Sequence, residues 1–264
     1  MIDIHSHILP ELDDGAGSLQ ESLEMGQLAV ADGIRIMVAT PHVISGLYEN
    51  SRATILTAVA HLKQTFADQG IPLEILPGAE YRLEPDLPQR LCRGELMTIN
   101  DGGRYLLVEL PADLVPNCTG QVFYELQLQG VTPIIAHPER NLVLARRPAQ
   151  LHYLVRHGAL AQITGDSVTG LLGAQAARAA KTFLRQGCVH LLASDAHNSS
   201  QRTPTLAASR EKAAQLVGQE EATNLVQGNP QRVINSQMVT PGDIKETAHQ
   251  SPSLLDRLRQ YFLK

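Results

Sequence analysis

Asp3-Ile4-His5-Ser6-His7 closes the first apolar run of the chain. On an extended strand residues i and i+2 project to the same side, so both imidazoles can face one point in space. A metal ion is the commonest reason to place two neutral nitrogen donors in that way. A pair of solvated or hydrogen-bonded histidines would look the same, and so short a motif does not choose between the two. The choice depends on how often the rest of the chain ends an apolar run in the same fashion.

Such runs recur at 2–5, 34–39, 73–76, 105–110, 132–136, 160–163 and 189–193. They are short, rich in Val, Ile and Leu, and nearly unbroken, as strands buried on both faces should be. Helical patterns lie between them. Ser18 with Glu21 forms a capping-box signature, and Gly33 can close that helix. Ser51 can cap a helix running to about Asp68, with Gly70 beyond it. Further helices are expected over 122–128, 148–156 and 171–186, ending near Gly130, Gly158 and Gly187. Strand and helix alternating seven times predicts an α/β fold: a closed or nearly closed parallel β/α barrel of the TIM-like kind. No linker or repeat divides residues 1–235. Beyond Val233 the regular pattern stops, and 236–264 reads as a C-terminal extension. There Leu254, Leu255, Leu258 and Phe262 share helical spacing, which suits a helix packed on the barrel or on a second subunit as a homo-oligomer.

With 264 residues the chain can bury a large core without disulfides. Its net charge of −5 gives no basic field for nucleic acid. Cys92, Cys118 and Cys188 are widely spaced and odd in number, which fits a reducing compartment better than a disulfide framework. No apolar run is long enough for membrane insertion. The first motif begins at residue 3, so no cleavable leader is expected before it, and the expected location is cytoplasmic.

In parallel barrels the chemistry sits where the strands end. The first run delivers His5 and His7, and its loop carries Asp13-Asp14-Gly15. The second ends in Thr40-Pro41-His42 and the third in Gly78-Ala79-Glu80. The fourth holds Glu109 between Val108 and Leu110, where a free carboxylate would be costly unless paired. The fifth ends in His137-Pro138-Glu139-Arg140 and the seventh in Ser194-Asp195-Ala196-His197. The sixth, ending Gln162-Ile163-Thr164-Gly165, offers no strong ligand. Five of the 10 histidines fall at these few places. His61, His152, His157 and His249 read as solvated, and His190 as a packing residue inside the last strand. The donors are nitrogen and oxygen only and too many for one ion. They suit two or three borderline divalent cations, manganese before iron or zinc.

Together these motifs resemble the PHP (polymerase and histidinol phosphatase) family over residues 1–235. The match is closest to its bacterial branch of metal-dependent protein-tyrosine phosphatases, which regulate capsular or exopolysaccharide synthesis beside a bacterial tyrosine kinase. The resemblance implies a distorted seven-stranded barrel holding three metals. His5, His7, Glu80 and Asp195 would hold the first, Glu80, Glu109 and His137 the second, and Asp14, His42 and His197 the third. Asp13 could exchange roles with Asp14, and Glu139 reads as a supporting group.

The expected activity is hydrolysis of phosphotyrosine by a metal-activated water. Arg140 can grip phosphate oxygens in paired hydrogen bonds. The resemblance adds Arg202, and Asp195 and His197 are candidates to protonate the leaving phenolate. A cysteine nucleophile would need an arginine six residues on, but Thr98, Tyr124 and Ser194 stand there. Two rival readings share these ligands: a histidinol-phosphate or other small-molecule phosphomonoesterase, and a metal-bound regulatory partner of a kinase that performs no catalysis.

Overall fold

The computed structural model describes residues 1–240. Each of the seven apolar runs forms a parallel strand, and a further short strand that the runs did not include follows the second and the third. The strands are β1 (Ile2–Ser6), β2 (Ile36–Ala39), β3 (His42–Val43), β4 (Glu74–Pro77), β5 (Glu80–Arg82), β6 (Tyr105–Glu109), β7 (Thr132–Ala136), β8 (Leu160–Thr164) and β9 (Leu191–Ala193). They form a three-stranded sheet in the order β1-β2-β4 and a six-stranded sheet in the order β3-β5-β6-β7-β8-β9. At Thr40-Pro41 and at Gly78-Ala79 the chain passes from one sheet to the other. Pro41 has no N–H to give to a ladder. Gly78 backs onto its neighbour so closely that a Cβ there would lie 2.8 Å from Val38 Cγ1. The first strand also meets the segment that follows the last. Ser6 bridges Ala196 in parallel sense. His7 N–H donates to the Ala196 carbonyl at 2.8 Å, and Asp195 N–H to that of His5 at 2.9 Å.

Side chains alternate across the strands with the period of two that the pleat imposes. Ile4, Val38, Leu76, Leu107, Ile134, Leu160, Leu191 and Ala193 belong to one buried cluster. Their neighbours Leu106, Val108, Ile135, Ala161 and Leu192 belong to another, shared with helix residues such as Phe66, Leu126 and Phe183. Two residues beyond Leu107, Leu160 and Ala193 come Glu109, Gln162 and Asp195. An apolar layer is thus followed, toward the strand ends, by a polar one.

The expected helices form, with some boundaries moved. Ser18 caps Leu19–Ala31 by accepting from Glu21 N–H, while the Glu21 carboxylate reaches Gly17 N–H rather than closing the box. Ser51 caps Arg52–Asp68. The pattern at 122–128 extends to Thr119–Leu128, Pro148–Arg156 matches, and that at 171–186 shortens to Ala174–Arg185. Helical segments over Ala207–Val217, Gln219–Thr223, Asn224–Gly228 and Asn229–Ile234 come in addition. The helix expected around Leu254 lies outside the described residues. No helix among the described residues is long and apolar enough to cross a membrane.

Candidate metal centre

At the carboxyl ends of the strands the ligand-type side chains from six of the runs meet. His5 Nε2 lies 3.2 Å from His7 Nε2, 3.2 Å from Glu80 Oε2 and 3.4 Å from Asp195 Oδ1. His7 Nε2 is 3.4 Å from each of the same two carboxylate oxygens. The other Glu80 oxygen stands 3.0 Å from His137 Nε2, which is 4.0 Å from Glu109 Oε1. His42 Nε2 and His197 Nε2 each lie 3.6 Å from Asp14 Oδ1. Three overlapping groups have donor atoms close enough to hold an ion: His7, Asp14, His42 and His197; His5, His7 and Glu80; His42, Glu80 and Glu109. Every expected ligand is therefore in one place, with His42 closer to the Glu80 carboxylate than the resemblance implies.

Two buried atoms test whether cations fit. His42 Nδ1 and Glu80 Oε2 are 3.1 Å apart, yet neither has a hydrogen-bond partner. Buried polar atoms are normally satisfied, and this pair is satisfied if each directs a lone pair at a cation. The Nδ1 atoms of His5 and His7 are already engaged. His5 Nδ1 meets Gln162 Oε1 at 2.8 Å, and His7 Nδ1 meets Asp13 Oδ2 at 2.7 Å. Each contact puts the ring proton on Nδ1 and leaves Nε2 facing the cluster, the usual outer support of a metal-bound histidine.

Asp13 and Asp14 thus divide their roles. Asp13 also accepts from the backbone N–H of His42 at 2.8 Å and of Gly15 at 2.9 Å, so it fixes imidazoles. Asp14 faces the imidazoles of His42 and His197 and is half exposed. Gly15 is required by this loop, since a Cβ there would come within 2.1 Å of the His7 carbonyl. Glu139 is buried beyond His137, accepting from Thr164 N–H at 2.9 Å and from the Ser167 hydroxyl at 2.7 Å. It braces the His137 turn. His137 and Asp195 both have left-handed backbone, with φ of 30° and 53°. Non-glycine residues hold that conformation at a cost of about 1–3 kcal/mol, a kind of strain that gathers at functional sites.

Charge is shared tightly. Burial raises the pKa of Glu80 and Asp195, but His5 and the other imidazoles outweigh it and hold both carboxyls well below their ordinary range. Burial lowers the pKa of His5 and His7, yet the carboxylates around them prevail and hold both above the usual value. His42 is lowered by burial, and His197 is brought down to about 2 by burial and then by His7. Arg140 and Arg202 both donate to Asp195 Oδ2, at 2.5 and 2.6 Å.

Comparison with known proteins agrees with this geometry. Residues 1–235 match the family model described as capsular polysaccharide synthesis, CpsB/CapC. The chain belongs to the CpsB/CapC family. It is 44% identical over 202 residues to the tyrosine-protein phosphatase YwqE of Bacillus subtilis, covering 76% of this chain and 79% of that one. Identity to the tyrosine-protein phosphatase CpsB of Streptococcus pneumoniae is 30% over 244 residues, covering 90% and 100%. The fold superposes with a TM-score of 0.89 and 38% identity on a crystal structure from the work on YwqE and CpsB, described there as unique metal-dependent tyrosine phosphatases. The overlap is 93% of this chain and 98% of that one.

Gln162 is the site residue that motif reading passes over in this CpsB/CapC chain, because an amide is not a strong ligand. Its signal was parity: it stands two residues beyond Leu160 on the same face of β8. Replacing Gln162 with Leu frees His5 to turn or change tautomer. The expected result is a loss of metal affinity of about 10–100-fold, the usual cost of such an outer partner, read by titrating the metal-free protein with manganese. Unchanged affinity would remove Gln162 from the site.

Proposed function

We propose that this chain is a metal-dependent protein-tyrosine phosphatase acting on phosphotyrosine proteins, a bacterial tyrosine kinase of polysaccharide synthesis among them. In this reading the strands close into a distorted seven-stave barrel. His5, His7, Glu80 and Asp195 hold one divalent cation, Glu80, Glu109 and His137 a second, and Asp14, His42 and His197 a third. The nitrogen and oxygen donor set suits manganese, with iron or zinc as other fits. The observation that carries the reading is the convergence of these side chains on one buried point, with His42 Nδ1 and Glu80 Oε2 facing each other unbonded.

Cations bound there supply an activated water and offset the charge of the phosphate. The chain's own residues do the rest. Arg140 and Arg202, 35% and 27% exposed, stand where the buried cluster meets solvent and can grip the phosphate oxygens. Asp13 and Gln162 hold the His7 and His5 rings. At neutral pH the depressed Asp195 carboxyl is ionised and the depressed His197 imidazole is neutral, its one ring proton on Nδ1 held by the Asp195 carbonyl at 2.9 Å. A phenolate, with a pKa of about 10, leaves with less need of one than an alkoxide does.

No cysteine takes part in this scheme. Cys188 is buried, and burial pushes its thiol up to about 12. Cys92 and Cys118 lie outside the centre. A chelator is therefore expected to abolish hydrolysis of a phosphotyrosine peptide and added manganese to restore it, while iodoacetamide leaves the rate unchanged. Activity that survives chelation, or that iodoacetamide removes, would overturn the proposal.

A further inference from the structure

Exposure is uneven around the cluster. His5 and Glu80 are fully buried, His42 is 12% exposed and Asp14 is 50% exposed. At that rim stands Tyr48, whose ring lies parallel to that of His42, with centroids 5.9 Å apart and planes 10° apart. Beside it Leu47 is 63% exposed. Neither side chain belongs to the ligand set described above, and Leu47 leaves most of its surface open to solvent.

The loop that carries the pair is held in place. Ile44 and Tyr48 exchange backbone hydrogen bonds, Ile44 N–H to the Tyr48 carbonyl at 3.0 Å and the reverse at 2.9 Å. The Ser45 hydroxyl donates to Glu84 at 2.8 Å. The Asn50 amide donates to the His42 carbonyl at 2.9 Å and the Leu12 carbonyl at 2.8 Å, tying the loop to the strand that bears His42 and to the loop that bears Asp13 and Asp14. An aromatic ring is thus fixed at the entrance before any substrate arrives.

We propose that Tyr48 is a specificity-determining residue. With Leu47 it forms the apolar wall against which the phenyl ring of phosphotyrosine packs once the phosphate is in the cluster, so that aryl phosphates are held in preference to alkyl ones. Offset stacking between two rings adds to the area that Leu47 covers. This rests on the phosphotyrosine reading above, and the test separates the two.

Binding of phenylphosphonate and of methylphosphonate to the full manganese-loaded chain is measured by calorimetry. The head group is the same, and nothing is hydrolysed. Tyr48→Ala is expected to weaken phenylphosphonate about tenfold, the order expected for one aromatic pair with its buried area, and to leave methylphosphonate unchanged. Tyr48→Phe keeps the ring and should bind both as the unaltered chain does. Leu47→Ser should lower the phenyl preference by a smaller factor. The idea is overturned if Tyr48→Ala weakens both ligands equally or loses metal, since Tyr48 would then be a prop for His42 alone. It is likewise overturned if the phenyl preference survives the substitution. Hydrolysis of a phosphotyrosine peptide by the unaltered chain is measured in parallel. Its absence would overturn the phosphatase reading whatever the phosphonates show.

Discussion

Replacing Glu80 with Gln is expected to cost at least two of the bound cations and to reduce kcat on a phosphotyrosine peptide by about a thousandfold or more. Glu80 is fully buried and touches four imidazoles of the centre. One carboxylate oxygen lies within 3.4 Å of His5, His7 and His42, and the other is 3.0 Å from His137. A glutamine of the same shape keeps the packing but removes the charge and turns one acceptor into a donor, aimed at imidazole nitrogens that must themselves present lone pairs. Bound cations contribute several kcal/mol of charge stabilisation, and each 1.4 kcal/mol is about tenfold in rate. Metal analysis and steady-state assay on the same preparation check both halves. A Glu80→Gln protein with full metal content and near-normal kcat would remove Glu80 from the ligands of the centre.

The same carboxylate sets a pH dependence. In the metal-free protein Glu80 and Asp195 hold the pKa of His5, and Asp13, Asp195 and Glu80 that of His7, above its ordinary value against the pull of burial. A raised histidine pKa stabilises the metal-free fold at low pH, and that contribution fades as pH rises through the folded pKa. Cations need the deprotonated rings. Metal uptake therefore strengthens as pH rises through the same range.

The seven strands that sequence reading found were readable because they are largely buried on both faces and show as nearly unbroken apolar runs. The ligands were readable because strand ends are where such folds place chemistry. Other features are tertiary and leave weaker marks. The short strands beyond Pro41 and Gly78 carry the chain into the second sheet, yet two or three residues are too few to show a period. The helical stretch 207–234 is assembled from short pieces around Gly218, at φ 92°, and a wide turn over Asn224–Gly228, so no single period runs through it. The division of labour between Asp13 and Asp14 depends on which carboxylate faces His7, and adjacency in sequence carries no trace of that. Gln162 acts through His5, 157 positions away. In the proposed wall Tyr48 acts beside His42 through a ring stack that no motif encodes.

Removing Arg140 should cost about 10²–10³-fold in kcat/KM, the size found when one preorganised donor to a developing charge is lost, with metal content unchanged. Arg140 and Arg202 converge on a single oxygen, Asp195 Oδ2, while the other Asp195 oxygen faces His5 and His7. They sit at the solvent edge of the cluster, where an entering phosphate can take over their donors. Arg140→Lys keeps the charge but loses the planar fork, so it should recover only part of the loss. Because both guanidiniums share one acceptor, their contributions should not add: the Arg140→Ala, Arg202→Ala double variant should lose less than the product of the two single losses. The cycle separates clamp from scaffold. If either arginine only props Asp195, its loss lowers metal content and leaves inhibition by inorganic phosphate unchanged in the fraction that retains metal. If the pair grips phosphate, the inhibition constant for inorganic phosphate rises with KM while the metal stays in place.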